Sequence, residues 1–97
     1  MIIASLAIFP TSEGVSVSQY VKEAIKVIES SDLKSVTGGM NTTIESPDLQ
    51  TLFEVIERAH QAIAAMGARR IHIDLNIDHR LDTEATIESK LKAIDKT

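Results

Sequence analysis

No cysteine and no tryptophan occur among the 97 residues, and the aromatic side chains amount to two Phe and one Tyr. Without cysteine there is no disulfide framework, no thiolate zinc site and no thiol nucleophile, a composition compatible with the cytosol. Only Phe9 among the three rings falls on a strand, so the chain lacks the stacking platform with which a sheet binds single-stranded RNA. Ten Lys plus Arg stand against fourteen Asp plus Glu, and the resulting net charge of −4 has the wrong sign for a phosphate-backbone binder. Nucleic acid is therefore not an expected partner. Nor is a membrane: Ser5 and Pro10 interrupt the apolar start far below the ~20 residues of a span, and no basic region precedes it as in a signal peptide. A cytoplasmic protein is expected.

What is present suits one domain over residues 1–97. Hydrophobic residues make up 43% and charged residues 25%, enough to pack a core from Ile, Val, Leu and Ala. A domain of this size buries only roughly two thirds of its unfolded surface, so association with copies of itself would add stability.

The apolar periods give the order of elements. Ile2 to Phe9 is apolar on both faces and reads as a central strand ended by Pro10. Ser16-x-x-Gln19 has the form of a capping box, and Val17, Val21, Ala24, Ile25 and Ile28 form the buried stripe of a helix running to about Ser30. Lys34 to Thr37 and Asn41 to Ser46 form an antiparallel pair around Gly38-Gly39-Met40, where glycine would supply a positive φ. Ser46-Pro47-Asp48 starts a helix with Ser46 as N-cap. Its stripe is Leu49, Leu52, Phe53, Ile56, Ala59, Ile63 and Ala64, and Gly67 ends it. Ile71, Ile73, Leu75 and Ile77 alternate with His72, Asp74, Asn76 and Asp78, a strand with one buried and one polar face. Thr83 caps a last helix carrying Ile87, Leu91 and Ile94. The order βαββαβ plus a C-terminal helix predicts an α+β ferredoxin-like sandwich, a four-stranded antiparallel sheet with two helices on one face.

Strand parity locates the polar side chains. If Ile44 faces the helices, so does Thr42, and a hydroxyl on an apolar inner face needs a partner from backbone, water or ligand. Ile8 points to the same face, beside the start of the first helix, so a small pocket is expected there. Glu45 lies on the opposite face. His72, Asp74, Asn76 and Asp78 lack the closed cluster a metal requires. No phosphate loop, nucleophile elbow or HExxH motif is present, and no metal site or catalytic residue is expected.

Four segments carry a resemblance: Ile8-Phe9-Pro10 at the end of the first strand, Ser18-x-Tyr20-Val21, Gly39-Met40-x-Thr42-x-Ile44-Glu45, and Ile77-Asp78-x-Arg80. With these the chain resembles the small thiamine-binding (YkoF-like) family of ferredoxin-like proteins. The resemblance implies a non-catalytic protein that binds thiamine or its hydroxymethylpyrimidine moiety as carrier or sensor, with no cofactor beyond that ligand. It also implies self-association as a homotetramer, a dimer of dimers. Carried over residue by residue, it makes Thr42 a side-chain ligand contact, Met40 a pocket wall and Ile8 a contact through backbone, while Glu45 matches the motif as a further ligand-binding candidate. The competing reading is an oligomeric structural or regulatory module without a thiamine site, motivated by the low polarity of Ile3, Ser5, Ala7 and Phe9 on the outer face of the central strand.

Overall fold

A computed structural model describes residues 1–14 and 17–94. Along the chain run β1 (Ile2–Pro10), α1 (Ser18–Ser30), β2 (Ser35–Thr37), β3 (Thr42–Ser46), α2 (Leu49–Ala65), β4 (Ile71–His79) and α3 (Ile87–Ala93). The strands form one antiparallel sheet in the order β2-β3-β1-β4. This is the ferredoxin-like arrangement with an added C-terminal helix.

Alternation along β1 sends Ile2, Ala4, Leu6 and Ile8 to the helical side, where all four are buried. They meet Ala24 and Ile28 of α1, Ile44 of β3, and Leu52, Val55 and Ile63 of α2 in one cluster. Each large aliphatic side chain buried there contributes about 1.5–3 kcal/mol relative to exposure, which is what holds two amphipathic helices on one sheet face. Val21 and Ile25, on the same stripe of α1, are only half-buried.

Several local expectations are corrected. The N-cap of α2 is Asp48, whose Oδ1 accepts from the Thr51 N–H at 2.7 Å, and not Ser46, whose hydroxyl donates to the Asp48 carbonyl instead. A carboxylate two residues nearer the helix wins because it can reach the orphan N–H of the first turn. The buried face of α2 includes Val55, while Leu49 and Ala64 are exposed and Phe53 is 48% exposed. Gly38 and Gly39 do not adopt positive φ; Gly14 and Gly67 do, the latter just beyond α2 as its stop requires. The loop from Gly38 to Asn41 is closed by the Gly38 N–H donating to the Asn41 carbonyl at 2.8 Å. Ile73 and Ile77 share the helical face by register with Ile8 and Ala4, yet each stays about 40% exposed because β4 is an edge strand. Ser16 lies outside the described residues.

The last helix crosses to the other face of the sheet. Its N-cap is Thr86, three residues beyond the expected Thr83, in a reciprocal box with Ser89. Ile87 and Ala85 are buried there together with Ile3, while Leu91 and Ile94 remain exposed. Lys90 pairs with Asp78 on the facing strand, and the terminal amine of Met1 pairs with Glu84 at 3.1 Å.

The hydrogen bond and positive charge of Lys90 hold the Asp78 carboxyl below its ordinary value. A lowered folded value means that the pair's contribution is complete above the unfolded value near 3.8 and is lost as pH falls through the folded one. The protection factors of the α3 amides, taken relative to intrinsic exchange at each pH, should therefore fall on acidification below that range, and Lys90→Met should show lower α3 protection already at neutral pH. Equal α3 protection in the variant and the parent at neutral pH would contradict this anchoring.

Candidate functional site

The pocket arises from unequal strand lengths. β1 pairs with β4 along its whole length, from Ile2 with His79 to Pro10 with Ile71, whereas β3 accompanies it only as far as Leu6 opposite Thr42. Beyond Thr42 the chain leaves in the Gly38–Asn41 loop. A gap of about 220 Å³ is left beside β1, with Leu6 and Ile8 among its floor residues and Val21, Ile25 and Ile28 of α1 above. The half-burial of Val21 and Ile25 is explained by this gap, which they line.

Backbone alternation gives Ile8 an open polar edge despite its apolar side chain. The Glu45 N–H donates to the Lys34 carbonyl, on the β2 side of β3, so Thr42, Ile44 and Ser46 turn their backbone groups toward β1. Their partners Leu6, Ala4 and Ile2 answer from β1. By the same two-residue period Ile8 directs its N–H and C=O toward the side where β3 has already ended. A buried backbone pair without a ladder partner is a place for a ligand or water to bond.

Two hydroxyls stand beside it. Thr42 is 4% exposed, and its Oγ1 lies 3.4 Å from Oγ1 of Thr37, directly opposite on β2. O–H···O bonds cluster near 2.7–2.8 Å, so this contact is a long one. Thr42 thus has a partner, but one that can tighten or be shared. No charged side chain lines the pocket among the described residues. Asn41, at the rim, donates from Nδ2 to Ser5 Oγ at 2.6 Å on the outer face, which ties the loop to the far side of β1.

Of the sequence candidates, Ile8, Met40 and Thr42 border this pocket. Met40 is 92% exposed and stands at the mouth, not in a packed wall. Glu45 is not brought to the pocket. It is 5% exposed on the opposite face, and its Oε1 accepts from the Ile87 N–H at 2.9 Å at the start of α3. Glu45 lies three positions after Thr42, an odd offset, so a strand must place them on different faces. Tyr20 is likewise not part of the pocket lining: its hydroxyl donates to Glu13 Oε1 at 2.9 Å. Glu13 is held below its ordinary value by the Ser12 and Tyr20 hydroxyls, and Tyr20 is raised by that same carboxylate. Ser12 Oγ accepts from the N–H groups of Arg69 and Arg70, so the loop leading to α1 is fastened to the start of β4.

Thr37 was missed by the sequence reading, although the hairpin register sets it against Thr42. The polar ladder on the outer face of β4 assembles no group of three metal-ligating side chains among the described residues.

A family model described as thiamine-binding protein matches residues 4–95. The UPF0045 protein MJ1052 of Methanocaldococcus jannaschii is 42% identical over 93 residues, covering 96% of this chain and 91% of that one. Its crystal structure superposes with a TM-score of 0.90 at 41% identity, covering 99% of this chain and 97% of the other. The UPF0045 protein YqgV of Bacillus subtilis is 37% identical over 101 residues, covering 99% of this chain and 96% of its own.

Replacing Glu45 by Ala should cost about 1.5–3 kcal/mol in urea unfolding, because a charge-assisted bond is lost and the Ile87 N–H is left buried without its acceptor. Ligand affinity measured by calorimetry on the folded variant should stay at the parent value. A large loss of affinity without loss of stability would return Glu45 to the binding site.

Proposed function

The chain belongs to the thiamine-binding protein family, and from that membership we propose that it is a non-catalytic, cytoplasmic binding protein for thiamine or its hydroxymethylpyrimidine moiety, serving as carrier or sensor. The observation that carries this reading is an uncharged apolar pocket with a buried hydroxyl and a free strand edge converging on it. A flat heteroaromatic ring suits such a site: apolar side chains cover its faces and a few fixed polar groups meet its edge.

The composition of the lining favours entry of the pyrimidine part of thiamine. Moving an unpaired cation into an uncharged, largely apolar pocket is expensive, and among the described residues the lining offers no carboxylate and only one aromatic residue, Phe9, to offset the thiazolium charge. The pyrimidine ring therefore goes in and the thiazolium stays at the mouth. A volume of about 220 Å³ agrees with that division, since pockets for drug-sized ligands run ~300–1,000 Å³. Thr42 bonds the ring edge, the Ile8 backbone supplies a second polar contact, and the flexible Met40 thioether at the rim folds over the exposed side of the ligand.

Assembly as a homotetramer, a dimer of dimers, is part of the same proposal. Its support is surface still accessible on the single chain: the half-buried Ser5, Ala7 and Phe9 of the central strand on the open sheet face, the exposed Ile73 and Ile77 at the β4 edge, and Leu91 and Ile94 on α3.

Titration of thiamine and hydroxymethylpyrimidine into the purified protein should show saturable binding of both, with the isolated pyrimidine losing little. Thr42→Val should weaken binding by about 1–3 kcal/mol while far-UV dichroism and unfolding stay near the parent. Unchanged affinity in a folded Thr42→Val protein would remove Thr42 from the site. Light scattering on the same sample should return four subunits, and absence of binding by a stable oligomer would favour a structural module instead.

A further inference from the structure

The hydroxyls of Thr37 and Thr42 face each other across β2 and β3 at the edge of the pocket. Thr42 is buried, whereas Thr37 is exposed on the outermost strand, so the pair runs from the pocket interior to its mouth. A hydroxyl carries one donor and two acceptor positions and rotates to suit its neighbours. Two hydroxyls joined to each other have spent one donor, and together they keep one donor and several acceptor positions. Such a pair matches a ligand edge with an acceptor beside a donor.

We propose that Thr37 is a specificity residue of this site, reading an exocyclic amine next to a ring nitrogen that Thr42 reads. This inference rests on the proposed binding of an aminopyrimidine in the pocket. Thr42 donates to the ring nitrogen, the ligand's amine donates to Thr37 Oγ1, and Thr37 donates to Thr42 Oγ1, closing a cycle of three bonds. Each bond in such a cycle polarises the next, so the bound state draws the 3.4 Å contact inward. Without the amine, Thr37 keeps only its bond to Thr42 and adds nothing to affinity. Selectivity for the amino ring then resides in an exposed side chain on a three-residue edge strand, where substitution leaves the core untouched.

The test measures binding of 4-amino-5-hydroxymethyl-2-methylpyrimidine and of the same ring without its amine to the parent, Thr37→Val and Thr37→Ser proteins by calorimetry. The parent should prefer the amino ring about tenfold, a factor in keeping with one hydrogen bond. Thr37→Val should bind the two rings within about twofold of each other, through loss of the amino ring alone, and Thr37→Ser should restore the preference. Val keeps the β-branched shape that a strand favours, and the Ser variant separates loss of the hydroxyl from any change in packing. A parent without preference, or a Thr37→Val protein that keeps it, overturns the role of Thr37 while leaving the binding site standing. A parent that binds neither ring overturns the site and this inference together.

Discussion

Everything at the candidate site follows from a mismatch in strand length. β1 has nine residues in register with β4 and only five in register with β3. Where β3 stops, the sheet is interrupted beneath α1, and the backbone of Ile8 reaches a ladder position with no strand to meet it. An ordinary edge would be solvated or covered, but here α1 roofs it with Val21, Ile25 and Ile28. The apolar enclosure and the open backbone edge thus have one origin, and Thr42 terminates β3 at the same point.

The second constraint is the two-residue period of β3, which divides one short motif between two tasks. Thr42 faces the helices and contributes to the pocket. Glu45, three positions on, faces away and takes the first N–H of α3. This fastening, with Lys90 on Asp78, lays α3 over Ile3 and leaves the remaining outer face of β1 open. The Asn41 bond to Ser5 passes between the two sides, so the loop at the pocket mouth is also fixed to the outer face. A residue pattern that looks like one motif in sequence is therefore divided between a pocket side chain and one that anchors a helix.

The repeating features were legible in the chain. A continuous apolar run located β1, a period of two located β4, the helical stripes located α1 and α2, and parity alone put Ile8 and Thr42 on one face and Glu45 on the other. The errors concern choices between chemically similar neighbours. Ser46 and Asp48 can both cap a helix, as can Thr83 and Thr86, and only the three-dimensional entry of the chain decides which side chain reaches an N–H. Phe53 falls within the apolar stripe read from the sequence, but the face of α2 that is buried runs through Leu52, Val55, Ile56, Ala59 and Ile63. Thr37 escaped notice since its meaning depends on which residue lies across from it, a property of register that no local pattern states.

The most direct test follows the backbone amides of the isotopically labelled protein by NMR during titration with hydroxymethylpyrimidine. Saturable shifts should centre on Ile8, Thr37, Thr42 and the Gly38–Asn41 loop, with Val21 and Ile25 responding across the pocket and Ile87 and Asn76 unmoved. Shifts centred on α3 and the outer face of β4, or no shifts at saturating ligand, would contradict a ring bound in the gap where β3 ends.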